Sequence, residues 1–141
     1  MSPTLSLEVF AQPFISSSRF SAFKEYARPR SGERLVYGRD VGTILERQAG
    51  PGTRYEVDPD GAGPAAPFSF NNPDFNFRSL RGNAVLRWEY RPGSTLFLVW
   101  TQDRSDTGPE GNLNLGRDRH ELFAARPNNI FLVKVNYWLG R

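Results

Sequence analysis

The chain has 141 residues, a formal charge of +3 and no cysteine, so it is the size of one modest domain and holds no disulfide, thiolate metal site or cysteine nucleophile. Its basic residues are scattered among acids, without the Lys/Arg block that marks a nucleic-acid surface, and no nucleic-acid partner is expected. No apolar run approaches the ~18 residues of a membrane helix. The 13% aromatic content, with 13 Gly and 11 Pro, instead suits strands and turns, and a membrane barrel shows lipid only every second side chain.

In chain order, Met1-Ser2-Pro3 leads directly into a strand pattern, with neither a basic n-region nor an apolar h-region, so no secretory signal is visible. Leu5, Leu7, Val9 and Ala11 then alternate with Ser6, Glu8, Phe10 and Gln12, a period of two that ends reliably at Pro13. From 15 to 74 the chain is punctuated by loop signals at Ser16-Ser17-Ser18, Arg28-Pro29-Arg30-Ser31-Gly32, Ala49-Gly50-Pro51-Gly52 and Asp58-Pro59-Asp60-Gly61. Short strands are expected at 34–38, 43–48 and 54–57, and Phe20, Phe23 and Tyr26 suit one face of a helical turn.

The clearest element starts at Phe75. Leu80, Gly82, Ala84, Leu86, Trp88 and Tyr90 form an uncharged face, opposite Ser79, Arg81, Asn83, Val85, Arg87 and Glu89. Arg91-Pro92-Gly93-Ser94 places Pro second and Gly third, as a type II turn requires. The next strand, 95–103, is apolar on both sides at first, which leaves its inward face open. The segment 104–128 is polar, with a short helix expected over 117–124. The last strand sets Phe131, Val133, Val135, Tyr137 and Leu139 against Ile130, Leu132, Lys134, Asn136 and Trp138.

These runs approach the ~9–11 residues of a barrel crossing. Trp88 and Tyr90 beside the tight turn, and Tyr137 and Trp138 beside the chain end, suit an aromatic girdle, and one short turn between long connections suits the loop asymmetry of outer-membrane barrels. The fold expected is therefore all-β and antiparallel: the C-terminal part of one outer-membrane β-barrel domain. Its membrane strands are placed at about 4–12, 75–90, 95–103 and 130–141, with external loops at 15–74 and 104–128 and a periplasmic C-terminus. Four crossings cannot close a barrel, since the smallest single-chain bacterial barrels have eight strands. The chain is accordingly expected to be a fragment whose partner strands lie upstream. The lipid-facing belt is assigned to Leu80, Ala84, Leu86, Trp88, Tyr90, Phe131, Val133, Val135 and Tyr137. A lumenal charge network is assigned to Glu8, Arg81, Arg87, Glu89 and Lys134.

Several blocks also resemble a known family. Gln12-Pro13-Phe14, Val57-Asp58-Pro59-Asp60-Gly61, the run from Phe75 to Asn83, the run from Leu86 to Ser94 and the run from Asn129 to Tyr137 resemble a C-terminal domain of unknown function (DUF5916). The resemblance implies a bacterial outer-membrane or cell-surface parent in which this region follows a domain like the family-nine carbohydrate-binding modules. Some such parents are called membrane-associated hydrolases.

No catalytic constellation supports an enzyme in this chain. Glu89 as a glycosidase-type acid is weighed against a pairing role among Arg81, Arg87 and Lys134, and the pairing role is preferred. Asp58-Pro59-Asp60-Gly61 lacks the further acids of a calcium loop and reads as a turn. His120, the single histidine, stands among charges and reads as surface. No catalytic, cofactor or metal residue is assigned. The expected partners are outer-membrane lipid, the upstream strands and, through the parent, carbohydrate. The second reading is a soluble β-rich carbohydrate-binding or hydrolase-associated module, motivated by the family company and by Tyr55 and Trp100.

Overall fold

The computed structural model describes residues 4–50 and 52–140. The readings of Met1-Ser2-Pro3, of Pro51 within its loop signal and of the final residue of the last strand lie outside the described residues. The chain is all-β apart from one short helix, and it divides into two compact units: 17–76 with 109–112, and the remainder.

The larger sheet belongs to the second of these. It contains β1 (Leu5–Ser18), β7 (Phe75–Arg91), β8 (Ser94–Gly108) and β9 (Asn128–Asn136), hydrogen-bonded in the order β1-β7-β8-β9. Strands of 14, 17 and 15 residues are more than twice the usual globular length of about 5–6. β1 and β7 run antiparallel: Glu89 N donates to Thr4 O at one end, and the rings of Phe14 and Phe77 lie 6.1 Å apart at the other. β8 and β9 are antiparallel, from Thr95↔Asn136 to Asp103↔Asn128. β1 continues past Pro13, where the alternating sequence pattern stops. A proline without an N–H is tolerated there because β1 is an edge strand and one of its sides carries no ladder.

Pro92 and Gly93 alone join β7 to β8. Gly93 has φ 75°, as the third position of a type II turn requires, and a Cβ there would come within 3.0 Å of Trp138 Cβ. The other two connections of this sheet, 19–74 and 109–127, leave from its opposite end. Helix α1 (Leu115–Ala124) in the second connection extends two residues earlier than expected. Asn114 caps it by accepting the Arg117 N–H, and Asp118 in turn accepts the Asn114 N–H at 2.8 Å. The helix buries Asp118 and Leu122.

The other unit holds a hairpin of β2 (Lys24–Tyr26) and β3 (Arg34–Val36), and a meander of β4 (Thr43–Ala49), β5 (Gly52–Asp58) and β6 (Phe68–Asn71). The helical turn expected from Phe20, Phe23 and Tyr26 is not formed. Lys24 to Tyr26 pair with Val36 to Arg34 instead, because one isolated helical turn fixes several dihedrals for a single hydrogen bond whereas the hairpin supplies several. Phe23, Tyr55 and Phe70 pack with ring centroids 4.9–5.4 Å apart, and Val57 is 1% exposed. Gly42, with φ 52°, approaches the Asp58 carbonyl so closely that any Cβ would overlap it.

Candidate functional site

The four long strands give the larger sheet two unlike faces. Leu7, Ala84, Leu86, Leu98, Val99, Trp100 and Phe131 line one shallow depression of about 290 Å³. Apart from Val99, which alternation turns to the other side of β8, these place odd positions of β1 and even positions of β7 and β8 on the same side. The register Leu98↔Val133 and Trp100↔Phe131 adds the odd positions of β9. In the segment 95–103, apolar on both sides in the sequence, Leu96, Leu98 and Trp100 thus share the uncharged face. On β7 this face carries no charge from Leu80 to Tyr90, about 33 Å of strand, and on β8 it is uncharged from Leu96 to Gln102, ahead of Arg104.

Eight of the nine residues assigned to the belt lie on this face; Tyr137, just past the end of β9, is held against Arg91, which donates to its hydroxyl at 2.8 Å. Leu80, Ala84 and Leu86 are half-exposed, whereas Trp88, Phe131, Val133, Val135 and Tyr137 are exposed, Phe131 by 74%. Trp88 and Tyr90 meet edge to face at 6.1 Å near the tight turn, and Trp100 stacks on Phe131 at 6.4 Å further along. Many of the apolar side chains on this face, from Trp88 to Phe131 and Val133, are therefore exposed.

The opposite face carries Gln12, Phe14, Phe77, Ser79 and Arg81 around one depression, followed by Asn83, Arg87 and Glu89. The five residues assigned to the charge network share this face but do not form one network. Arg87 and Glu89 pair at 3.7 Å; Arg81 reaches Asp103 at 3.8 Å; Lys134 sits over the Phe97 ring at 5.8 Å; and Glu8 stands exposed on β1. Such open pairs contribute little, roughly 0–1 kcal/mol each. Glu89 also braces the tight turn, because its Oε1 accepts the Gly93 N–H at 3.1 Å. This face is also apolar in part, with Val99 opposite Leu132 and Thr101 opposite Ile130.

A third cluster went unread in the sequence. Arg78, 2% exposed, belongs to the uncharged side by parity, two residues before Leu80. Its Nη2 binds Asp106 Oδ2 at 2.6 Å and also Glu121, and its Nη1 lies 3.5 Å from Asp118 Oδ1. Asp118 is fully buried and is held as well by Arg117 at 2.9 Å. Arg104, next to Asp106 on that face, donates to the Phe123 carbonyl and to Gln102, with its guanidinium 5.4 Å from the Phe123 ring centroid. A buried cation surrounded by three carboxylates thus pins α1 across β7 and β8 where the uncharged band ends.

The family model for a domain of unknown function (DUF5916) matches residues 49–140. The chain belongs to this family. No curated protein and no solved structure matches it. Within this DUF5916 chain the matched span contains β5 to β9 and α1, hence the uncharged face of β7, β8 and β9 together with the Arg78 cluster. Of the sequence blocks that carried the resemblance, Gln12-Pro13-Phe14 precedes the matched span and the other four fall inside it.

The small sheets of the DUF5916 chain carry their own polar anchors. Asp40 accepts the Val36 N–H at 2.9 Å and two bonds from Arg39, which hold its carboxyl down at about 2. Burial, reinforced by its hydrogen bond to Glu25, pushes the Tyr37 phenol up to about 12. Asp58 and Asp60, weighed as metal ligands, accept the backbone N–H groups of Gly61 and Ala65, which is turn chemistry. His120 is exposed on α1.

Proposed function

We propose that this chain supplies four strands of a bacterial outer-membrane β-barrel and acts there as a structural, membrane-anchoring segment. The observation that carries the reading is the uncharged, outward-pointing face shared by β1, β7, β8 and β9. Water-exposed apolar surface costs about 25 cal/mol per Å², and contiguous patches of this kind mark protein or membrane contacts. From Leu80 to Tyr90 the face is about 33 Å long, which at the ~40° tilt of barrel strands spans about 25 Å, the height of an outer-membrane apolar band. Trp88, Tyr90 and Tyr137 fall at the border beside the tight turn, as interface girdles do, and Trp100 with Phe131 lie further along the face.

The sheet edges support the same reading. β9 is exposed at every position and β1 along most of its length, and each has one unpaired side. Long, flat, apolar edges invite aggregation unless another strand covers them. Upstream strands of the parent chain would cover both and close the barrel. The two-residue turn then faces the periplasm and the long connections face outward. The family resemblance extends the proposal to a surface-exposed parent concerned with carbohydrate.

The soluble carbohydrate-binding reading draws less support, because one of its two motivating rings is occupied: Tyr55 lies against Phe23 and Phe70, while Trp100 stacks on Phe131 and stays exposed. Fractionation of cells expressing the full-length parent tests the choice. The barrel reading expects recovery with the outer membrane and a band that migrates faster unboiled than boiled. Recovery as a freely soluble, heat-insensitive protein rejects it.

A further inference from the structure

The three carboxylates that could neutralise the surface of α1 are turned inward. Asp106, Asp118 and Glu121 all reach Arg78, and Asp118 also holds Arg117. Arg119, His120 and Arg126 are left on the outer side, and neither Arg119 nor Arg126 forms a salt bridge among the described residues. Between these cations the helix region exposes Leu113 (57%), Leu115 (66%) and Phe123 (59%). Leu115, Arg119 and Phe123 are spaced by four and so share one flank of the helix. An exposed stripe that alternates large apolar side chains with arginine is the composition of a helix lying in a membrane interface.

The position of that stripe along the sheet is fixed by its neighbours. Phe123 sits over Arg104, and Arg104 reaches back to Gln102. Gln102 and Trp100 both donate to Asn129 Oδ1 at 3.0 Å. Reading along β8, an uncharged band ends at Trp100, a polar layer follows at Gln102, Asn129 and Arg104, and α1 lies next, on the same side of the sheet as the band. That order is apolar core, aromatic border, headgroup level.

We infer that α1 is an interfacial helix whose Arg119 and Arg126, with Arg104 behind Phe123, bind the phosphates of anionic lipid headgroups, while Leu115 and Phe123 dip into the acyl boundary. The Arg78 cluster is the device that makes this surface cationic: it neutralises the acids of the segment by pairing, with Asp118 fully buried, and leaves Arg119 and Arg126, unpaired among the described residues, outside. The inference rests on the barrel reading and deepens it by naming the lipid chemistry at one rim.

The test uses the full-length parent in lipid nanodiscs, with a single cysteine introduced at Phe123 or at Leu86 and labelled with a fluorophore. Any native cysteine of the parent outside this chain is first replaced. Quenching by a headgroup nitroxide is compared in anionic and zwitterionic bilayers. The expected result is quenching of the label at 123 that is strongest with anionic lipid, weakens with salt, and loses about fivefold of its lipid preference for each of Arg119→Gln and Arg126→Gln. Both substitutions lie outside the buried cluster, and retained heat-modifiable migration verifies that the variants fold. Lipid-phase quenching at 86 without any headgroup quenching at 123 overturns the interfacial helix and leaves the barrel standing. Absence of quenching at both positions overturns both. Reversal by inorganic phosphate alone, at constant ionic strength, shows a free-phosphate site and also overturns the lipid assignment.

Discussion

Val57 in the small meander is 1% exposed, and the neighbouring aromatic rings of that unit face one another; in the four-stranded sheet Val133 is 66% exposed and Phe131 74%. Both regions are rich in aromatic and β-branched residues, so composition does not separate them. Orientation does. The unit of β2 to β6 turns Phe23, Tyr55 and Phe70 inward and builds a core of its own, as a chain folding in water must. The sheet of β1, β7, β8 and β9 keeps many of its apolar side chains exposed and uses charge for a buried anchor, Arg78 with Asp106, Asp118 and Glu121. The two regions orient their apolar side chains in opposite ways.

Substitutions can break this comparison at either end. The largest effect is expected from Arg78→Met, which leaves the buried Asp118 short of a partner and costs about 3–5 kcal/mol. Denaturant titration of the refolded parent, read together with protease cutting between 109 and 127, should show α1 released first. Next comes the contrast of Leu86→Arg with Val85→Arg. The former puts a charge on the uncharged face and should cost about 2–4 kcal/mol in a bilayer, and the latter, on the opposite face, much less. Equal costs would mean that the two faces meet the same environment. Val57→Ala should remove about 2 kcal/mol, and only from the small unit, seen as faster amide exchange in β4 to β6 with the long strands unchanged.

The smallest effect is electrostatic. Because folding lowers the Asp40 carboxyl from 3.8 to about 2, its ionised form stabilises the fold above pH ~4, and that contribution is lost as pH falls towards 2. Asp40→Asn should therefore speed amide exchange around β3 at neutral pH and match the parent near pH 2. Because Asp40 is exposed, the difference should be slight and should shrink with salt.

Much of this architecture was legible from period and punctuation. The parity of Leu80 to Tyr90 gave β7 its faces, and Pro92-Gly93 gave the turn, because strand alternation and positive φ leave direct marks on sequence. What escaped was long-range. Leu96 to Trp100 is apolar at every position, so period two carried no information until Trp100 was paired with Phe131. The Arg78 cluster joins residues up to 43 positions apart, yet parity held a clue: Arg78, Arg104 and Asp106 continue the uncharged face of their own strands, where a charge demands a buried partner. In the long excursion the short strands expected at 34–38, 43–48 and 54–57 are formed, whereas β2 and β6, three and four residues long between turn signals, left no local pattern. Its core comes from contacts between segments, such as Phe23 with Phe70, that no local window contains.

The central claim is that the even positions of β7 meet acyl chains. Spin labels placed one at a time from 80 to 87 in the full-length parent, reconstituted in lipid bilayers, test it through collision with oxygen and with a water-soluble nickel chelate. The account predicts a period of two, with oxygen access highest at 80, 82, 84 and 86 and lower at the positions between. Even positions shielded from both reagents would mean that a second protein layer covers the face, and would contradict the membrane assignment.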